Sequence, residues 1–178
     1  MGARQDQLTT LLLNKGYKPV TIATDLDALQ QAYGEEINRI YRELGGILPD
    51  APVKFGKFDF ACDEMIVELD EEQHFNRYRA ITLQSPIYKN VQHWDVQAYK
   101  KWCSEKENEC LRKASFGKYW TSPSTEKQFG KPAANGILTG TGSPRWKQRA
   151  YYDFVKDCFA IFSGNKLIRQ SIYAPIIV

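Results

Sequence analysis

The chain has 178 residues, of which 43% are hydrophobic, 25% charged and 13% aromatic. That is enough length and apolar material for one folded domain, and too much for a disordered chain. No apolar run approaches the ~20 residues of a bilayer-spanning helix, and the opening residues lack a signal-peptide core, so no membrane association and a cytoplasmic location are expected. The net charge of +3 hides an asymmetry. Residues 1–99 carry 10 Lys/Arg against 15 Asp/Glu, residues 100–149 carry 11 against 4, and residues 59–72 hold seven acids and no base. An acidic knot beside a basic half is the pattern expected of a cation site next to a polyanion track; solvated helices and loops are the plainer alternative.

In chain order, residues 4–14 read as a short helix. A longer one follows, capped by Thr24 with Asp27 three residues on, its apolar face set by Leu26, Leu29, Tyr33, Ile37, Ile40, Tyr41 and Leu44 and its end by Gly45–Gly46. After a Pro-rich turn, residues 58–60 and 65–70 approach a period-two alternation, the signal for two strands. Helical patterns resume at about 75–83 and 95–114. Residues 115–144 are rich in Gly, Ser, Thr and Pro and read as a long surface loop. An amphipathic helix then runs over 145–162, with Tyr151, Phe154, Val155, Cys158, Phe159 and Phe162 as its buried stripe, and KLIRQSIY reads as a last strand. This order predicts one α+β domain over 1–178, an α/β/α sandwich around a small mixed sheet, with an insertion or flexible loop at about 85–144.

The hairpin carries the chemistry. A two-residue turn at Asp63 and Glu64 sets Cys62 opposite Met65, Ala61 opposite Ile66, Phe60 opposite Val67 and Asp59 opposite Glu68. Phe58, Phe60, Val67 and Leu69 would then share one face, and Asp59, Glu68 and Asp70 the other, with Lys57 opposite Asp70. Carboxylates directly across an antiparallel pair repel, with Cβ atoms ~4.5–5.5 Å apart. Three of them on one face call for a cation, a shared proton or solvent. Hard oxygen ligands suit Mg²⁺ or Mn²⁺; an exposed acidic face is the competing explanation. The four cysteines have no paired CxxC spacing and read as reduced thiols, a zinc site with His74 and His93 being the less favoured option.

With its FDF, six intervening residues and VELDEEQHF, the chain resembles the PD-(D/E)xK nuclease superfamily, in particular the compact branch of very-short-patch repair endonucleases and small restriction-endonuclease-like proteins. The resemblance covers roughly residues 30–80 and 145–175. It implies a restriction-endonuclease-like fold and an Mg²⁺- or Mn²⁺-dependent endonuclease, in restriction, repair or phage defence. Asp59 and Glu68 would be metal ligands, with Glu36 (or Glu35) as a helix-borne ligand. The family's lysine is missing: Asp70 stands two residues after Glu68. Asp70 could bind a second metal, Gln73 could orient the water, and a basic group could come from Lys57, Lys147 or Arg149.

His74 is either a general base or phosphate ligand or a structural histidine. Arg77 is a candidate phosphate contact, and Arg79 reads better as a surface partner of Glu71 or Glu72. Further strand contacts are expected from Lys118, Arg145, Lys147 and Arg149, within a wider set of Lys100, Lys101, Arg112, Lys113, Lys127 and Lys131. Tyr119, Trp120 and Trp146 are interleaved with them for stacking, burial being the commoner fate of Trp146. The expected partner is nucleic acid, foremost double-stranded DNA, and a homodimer would suit double-strand cleavage. A catalytically inactive nuclease fold that binds nucleic acid or a protein is the competing reading.

Overall fold

A computed structural model describes residues 2–63 and 65–176. Its sheet has three strands, β1 (Phe60–Cys62), β2 (Met65–Asp70) and β3 (Leu167–Ser171), in that spatial order. β1 and β2 are antiparallel, with Phe60 opposite Val67, Ala61 opposite Ile66 and Cys62 opposite Met65, the register expected from the sequence. Glu64, half of the expected turn, lies outside the described residues. β3 runs parallel to β2, pairing Glu68 with Arg169 and Asp70 with Ser171. Parallel neighbours need a long crossover, and here the chain between Asp70 and Leu167 supplies five helices: α3 (Arg77–Thr82), α4 (Val96–Glu105), α5 (Glu107–Ala114), α6 (Pro123–Phe129) and α7 (Pro144–Phe162).

Two helices precede the sheet, α1 (Ala3–Asn14) and α2 (Leu26–Glu43). Asp25 caps α2, its carboxylate accepting from Ala28 N at 2.9 Å, so the cap is one residue later than the Thr24 expected. The strands bury both faces. Met65, Val67 and Ile168 turn with Phe60 and Cys62 toward Leu8 and Leu12 of α1, forming a small second core. Ala61, Ile66 and Leu167 face the larger core built from α2, α7 and the helices between them. The protein is therefore α+β, mostly helical around a small mixed sheet with helices against both of its faces. No helix among the described residues is long and apolar enough to cross a membrane.

Three expectations need correction. The strand alternation does not extend back to Phe58: the chain bends at Asp59, and Phe58 packs with Phe55 and Phe159 on the α7 side instead of joining Phe60. The 95–114 helix is two helices broken at Lys106. The 115–144 stretch, expected as surface loop, folds the short helix α6 under a Ser122–Thr125 capping box and buries Trp120 and Phe129. Trp120 and Trp146 stack edge-to-face at 5.4 Å, and their indole N–H groups donate to the carbonyls of Ala133 and Ala114. Local composition reads as loop because only tertiary burial rewards these aromatics.

The neighbouring Tyr119 is exposed, which gives a direct comparison. Trp120→Ala is expected to cost about 3–5 kcal/mol in urea unfolding through the cavity it leaves, whereas Tyr119→Ala should stay within about 0.5 kcal/mol of the parent.

Candidate functional site

Glu68 and Asp70 alternate with Val67 and Leu69, so both point at α7. Asp59 sits beside Glu68 where β1 begins. Its backbone N–H donates to Glu68 Oε1 at 3.1 Å, and the backbone N–H of Leu69 donates to Asp59 Oδ2 at 2.8 Å. The other Asp59 oxygen accepts from Gln5 Nε2 of α1 at 2.8 Å. The two carboxylates are thus side by side, as the hairpin register implied.

They do not face open solvent. Glu68 is 3% exposed, and burial pushes its carboxyl up to about 7 against the opposing pull of Lys156 and Arg169. Burial also raises Asp59. The principal counter-charge comes from α7: Lys156 Nζ lies 2.7 Å from Glu68 Oε2 and also donates to the Lys57 carbonyl at 2.9 Å. Its ammonium lies 5.4 Å from the centre of the Phe58 ring. Asp59, Glu68, His74, Arg145, Arg149, Asp153 and Lys156 line one open cleft of about 280 Å³.

Behind the cleft runs a second layer of charge. Arg169 on β3 is fully buried. Its Nη1 donates to both oxygens of Asp70 (2.9 and 3.0 Å), its Nε to Asp157 Oδ1 (2.7 Å) and its Nη2 to the Asp153 carbonyl (3.0 Å). Arg79, also buried, takes the other Asp157 oxygen at 2.8 Å. His74 Nδ1 lies 2.7 Å from Asp153 Oδ2 and 3.2 Å from Asp70 Oδ1. Burial alone would raise Asp153, yet His74 and Arg169 outweigh it and hold the carboxyl well below its usual range. An ionised Asp153 cannot donate, so the Nδ1–Asp153 hydrogen bond places a proton on Nδ1.

The remaining expected site residues divide by location. Gln73 accepts a hydrogen bond from Arg149 beside the cleft. Asp70 is neutralised by Arg169, and Lys57, expected opposite it, offers only its carbonyl to Lys156. Glu36 is not brought to the site: on α2 it pairs with Arg39 and accepts from the hydroxyl of Ser85, which follows α3. Arg77 is held bidentate by Glu107, and Arg79 belongs to the core, not to a surface pair with Glu71 or Glu72. Lys147 is buried, 5.6 Å from the centre of the Tyr78 ring, and does not line the cleft. Lys118 lies on the exposed 3₁₀ turn Gly117–Tyr119. All four cysteines are free and buried.

Three residues were missed: Lys156, Asp153 and Arg169. A signal existed for each. Arg149, Tyr152, Asp153 and Lys156 recur at three- and four-residue spacing along a helix that is otherwise buried, and Arg169 shares a strand face with Leu167.

As for cations, a ligand atom from each of Asp70, His74 and Asp153 lies within 4.8 Å of the others. Arg169 already neutralises that group. Asp59 and Glu68 present hard oxygens, each already accepting one hydrogen bond and keeping a lone pair, and burial is the main reason both carboxyls hold their protons more tightly than usual. Hard carboxylate oxygens of this kind suit a divalent cation such as Mg²⁺ or Mn²⁺.

A folded-state carboxyl near 7 against an ordinary 4.5 costs stability as pH rises from about 4.5 to 7, because the unfolded chain gives up its proton first. In metal-free protein the stability of Glu68→Gln relative to the parent should therefore improve by roughly 3 kcal/mol between pH 4.5 and pH 8 in paired denaturant titrations. Arg169→Met, which removes the buried cation shared by Asp70, Asp153 and Asp157, should lose about 3–5 kcal/mol at neutral pH in the same assay.

No curated protein and no solved structure matches the chain. A family match begins at residue 39, inside α2, and takes in Asp59, Glu68, Asp70, His74, Asp153, Lys156 and Arg169 while leaving out Gln5. Because residues 39–178 match it, the chain belongs to the family described as Family of unknown function (DUF7255).

Proposed function

We propose that the protein is an Mg²⁺- or Mn²⁺-dependent endonuclease that hydrolyses phosphodiester bonds in DNA, on a restriction-endonuclease-like α/β/α version of the PD-(D/E)xK fold. The observation that carries this reading is the 2.7 Å contact between Lys156 Nζ and Glu68 Oε2. Asp70 stands where the resemblance calls for lysine, and α7 delivers an ammonium to the same carboxylate from the opposite side of the cleft. The hairpin followed by a helical crossover into a parallel strand supports the fold assignment.

Asp59 and Glu68 would hold the divalent ion, which when bound lowers the pKa of a water and offsets charge on the phosphate. The chain's own residues supply the rest. Lys156, fixed by Glu68 and the Lys57 carbonyl, is placed to orient a water or neutralise a phosphate oxygen beside the acid pair. Arg145 and Arg149 give the cleft a cationic wall suited to a phosphodiester backbone. His74 holds a proton on Nδ1 against Asp153 and Asp70, which leaves its second ring nitrogen for exchange with water or a leaving oxygen. Arg169 acts through Asp70 and Asp153 to hold that imidazole.

Plasmid nicking with Mn²⁺ tests the reading. The parent should cleave, Asp59→Asn and Glu68→Gln should abolish cleavage, and Lys156→Met should lower it about 100-fold or more while leaving the fold intact. Metal-independent retention of DNA with no cleavage would overturn it in favour of an inactive binding module.

A further inference from the structure

A second cavity of about 450 Å³ opens directly beside the acid pair. It lies between α1, the segment 19–26 and the approach to β1, and shares Gly56 and Asp59 with the acidic cleft. Its walls are mainly apolar. Ile22, Leu26, Phe55 and Phe58 all line it; each packs against the core on one side and stays half-buried, so the rest of its apolar surface borders a concave site of ligand size. Phe55 and Phe58 stand 5.4 Å apart at a tilt of 47°, presenting aromatic surface. Thr9 adds a hydroxyl, and Lys57 is exposed along the same lining.

We infer that this cavity receives the unpaired nucleobase of the nucleotide whose phosphate lies at the acid pair, so that the substrate is a single-stranded or locally unpaired nucleic acid. The inference rests on the reading of the acidic cleft as a phosphodiester site. A nucleotide joins an anionic phosphodiester to a flat, largely apolar ring across one sugar, and the two cavities meet at one glycine with matching chemistry on each side. Aromatic walls accept any base face by stacking, and hydroxyls can bond base edges. A base still paired and stacked in a duplex cannot enter such a cavity. Of the aromatics expected to stack on bases, Trp120 and Trp146 are buried, and Tyr119, though exposed, lines neither cavity.

Gly56 makes the test clean. A Cβ at this position meets nothing within 4 Å, and its φ lies outside the positive range, so a larger residue fits the backbone and stands at the junction of the two cavities. Binding of a short fluorescent single-stranded DNA to the full chain would be measured by anisotropy with Ca²⁺ present, against the same strand made abasic and against its duplex. The parent should favour the base-bearing single strand about tenfold over both, and Gly56→Leu, with an unchanged melting curve, should bind all three alike.

Equal binding of the three by the parent, no binding at all, or a preference that survives in Gly56→Leu would overturn the inference. Hydrolysis of bis(p-nitrophenyl) phosphate with Mn²⁺ reads the acid pair separately. Its absence alongside an intact base preference would sink the nuclease reading and leave the base cavity standing.

Discussion

A buried guanidinium organises this protein. Arg169 reaches from β3 to an aspartate on β2 and two on α7, and among the described residues no other side chain ties the parallel strand pair to α7 with as many hydrogen bonds. An arginine fully removed from water is costly unless its donors are matched, and here the three guanidinium nitrogens make four hydrogen bonds to Asp70, Asp157 and the Asp153 carbonyl from a planar fork. The arrangement is therefore selective about geometry. Shifting β3 by one residue would send Arg169 to the α1 face, among Leu8, Leu12 and Val67, and would take the shared cation away from Asp70 on β2 and Asp153 and Asp157 on α7.

The same constraint explains why the acids at the cleft differ from one another. Asp153 lies within reach of His74 and Arg169, which hold its carboxyl well below the usual range, and Asp70 accepts two hydrogen bonds from Arg169. Glu68, one pair further along β2, is just as buried but relies mainly on a single lysine, and its carboxyl rises to about 7. Glu68 and Asp153 thus carry opposite tendencies because Asp153 is enclosed by His74 and Arg169 while Glu68 relies mainly on one lysine. That contrast separates a charge used to build the fold from one left available for chemistry.

Much of this was legible in the sequence, for identifiable reasons. The β1–β2 register follows from a short turn and period-two alternation, both local, and it placed Asp59 against Glu68 correctly. The α7 stripe is long and strongly periodic, and Tyr151, Phe154, Val155, Cys158 and Phe159 are buried as it implied, whereas Phe162, expected to end the stripe, is exposed in the last turn, and the helix also buries Lys147, Asp153, Lys156 and Asp157. Long-range compensation left weaker marks. Lys156 lies 88 residues from Glu68, and nothing in the hairpin says which of many later cations will reach it. Glu36 had the right helix position and the wrong neighbour, Arg39 three residues on. The burial of α6 and Trp120 was hidden because a capping box, glycines and prolines look the same in a surface loop and in a packed corner.

α1 belongs to the same argument from the other side of the sheet. Three strands make too narrow a sheet to bury two faces unaided, and Leu8 and Leu12 are what covers Phe60, Met65 and Val67. The helix that seals this face also delivers Gln5 to Asp59 at 2.8 Å and Arg4 to Glu72 at 2.9 Å. Docking of α1 and orientation of the Asp59 carboxylate are consequently one event: a hairpin without the helix would lose an apolar cover and the amide that holds a candidate ligand oxygen. Since the family match begins only at residue 39, α1 lies outside the matched stretch, yet its contacts are made to residues within it. The geometry of the acid pair is therefore set jointly, with backbone N–H groups of the hairpin fixing two oxygens, α7 a third and α1 the fourth.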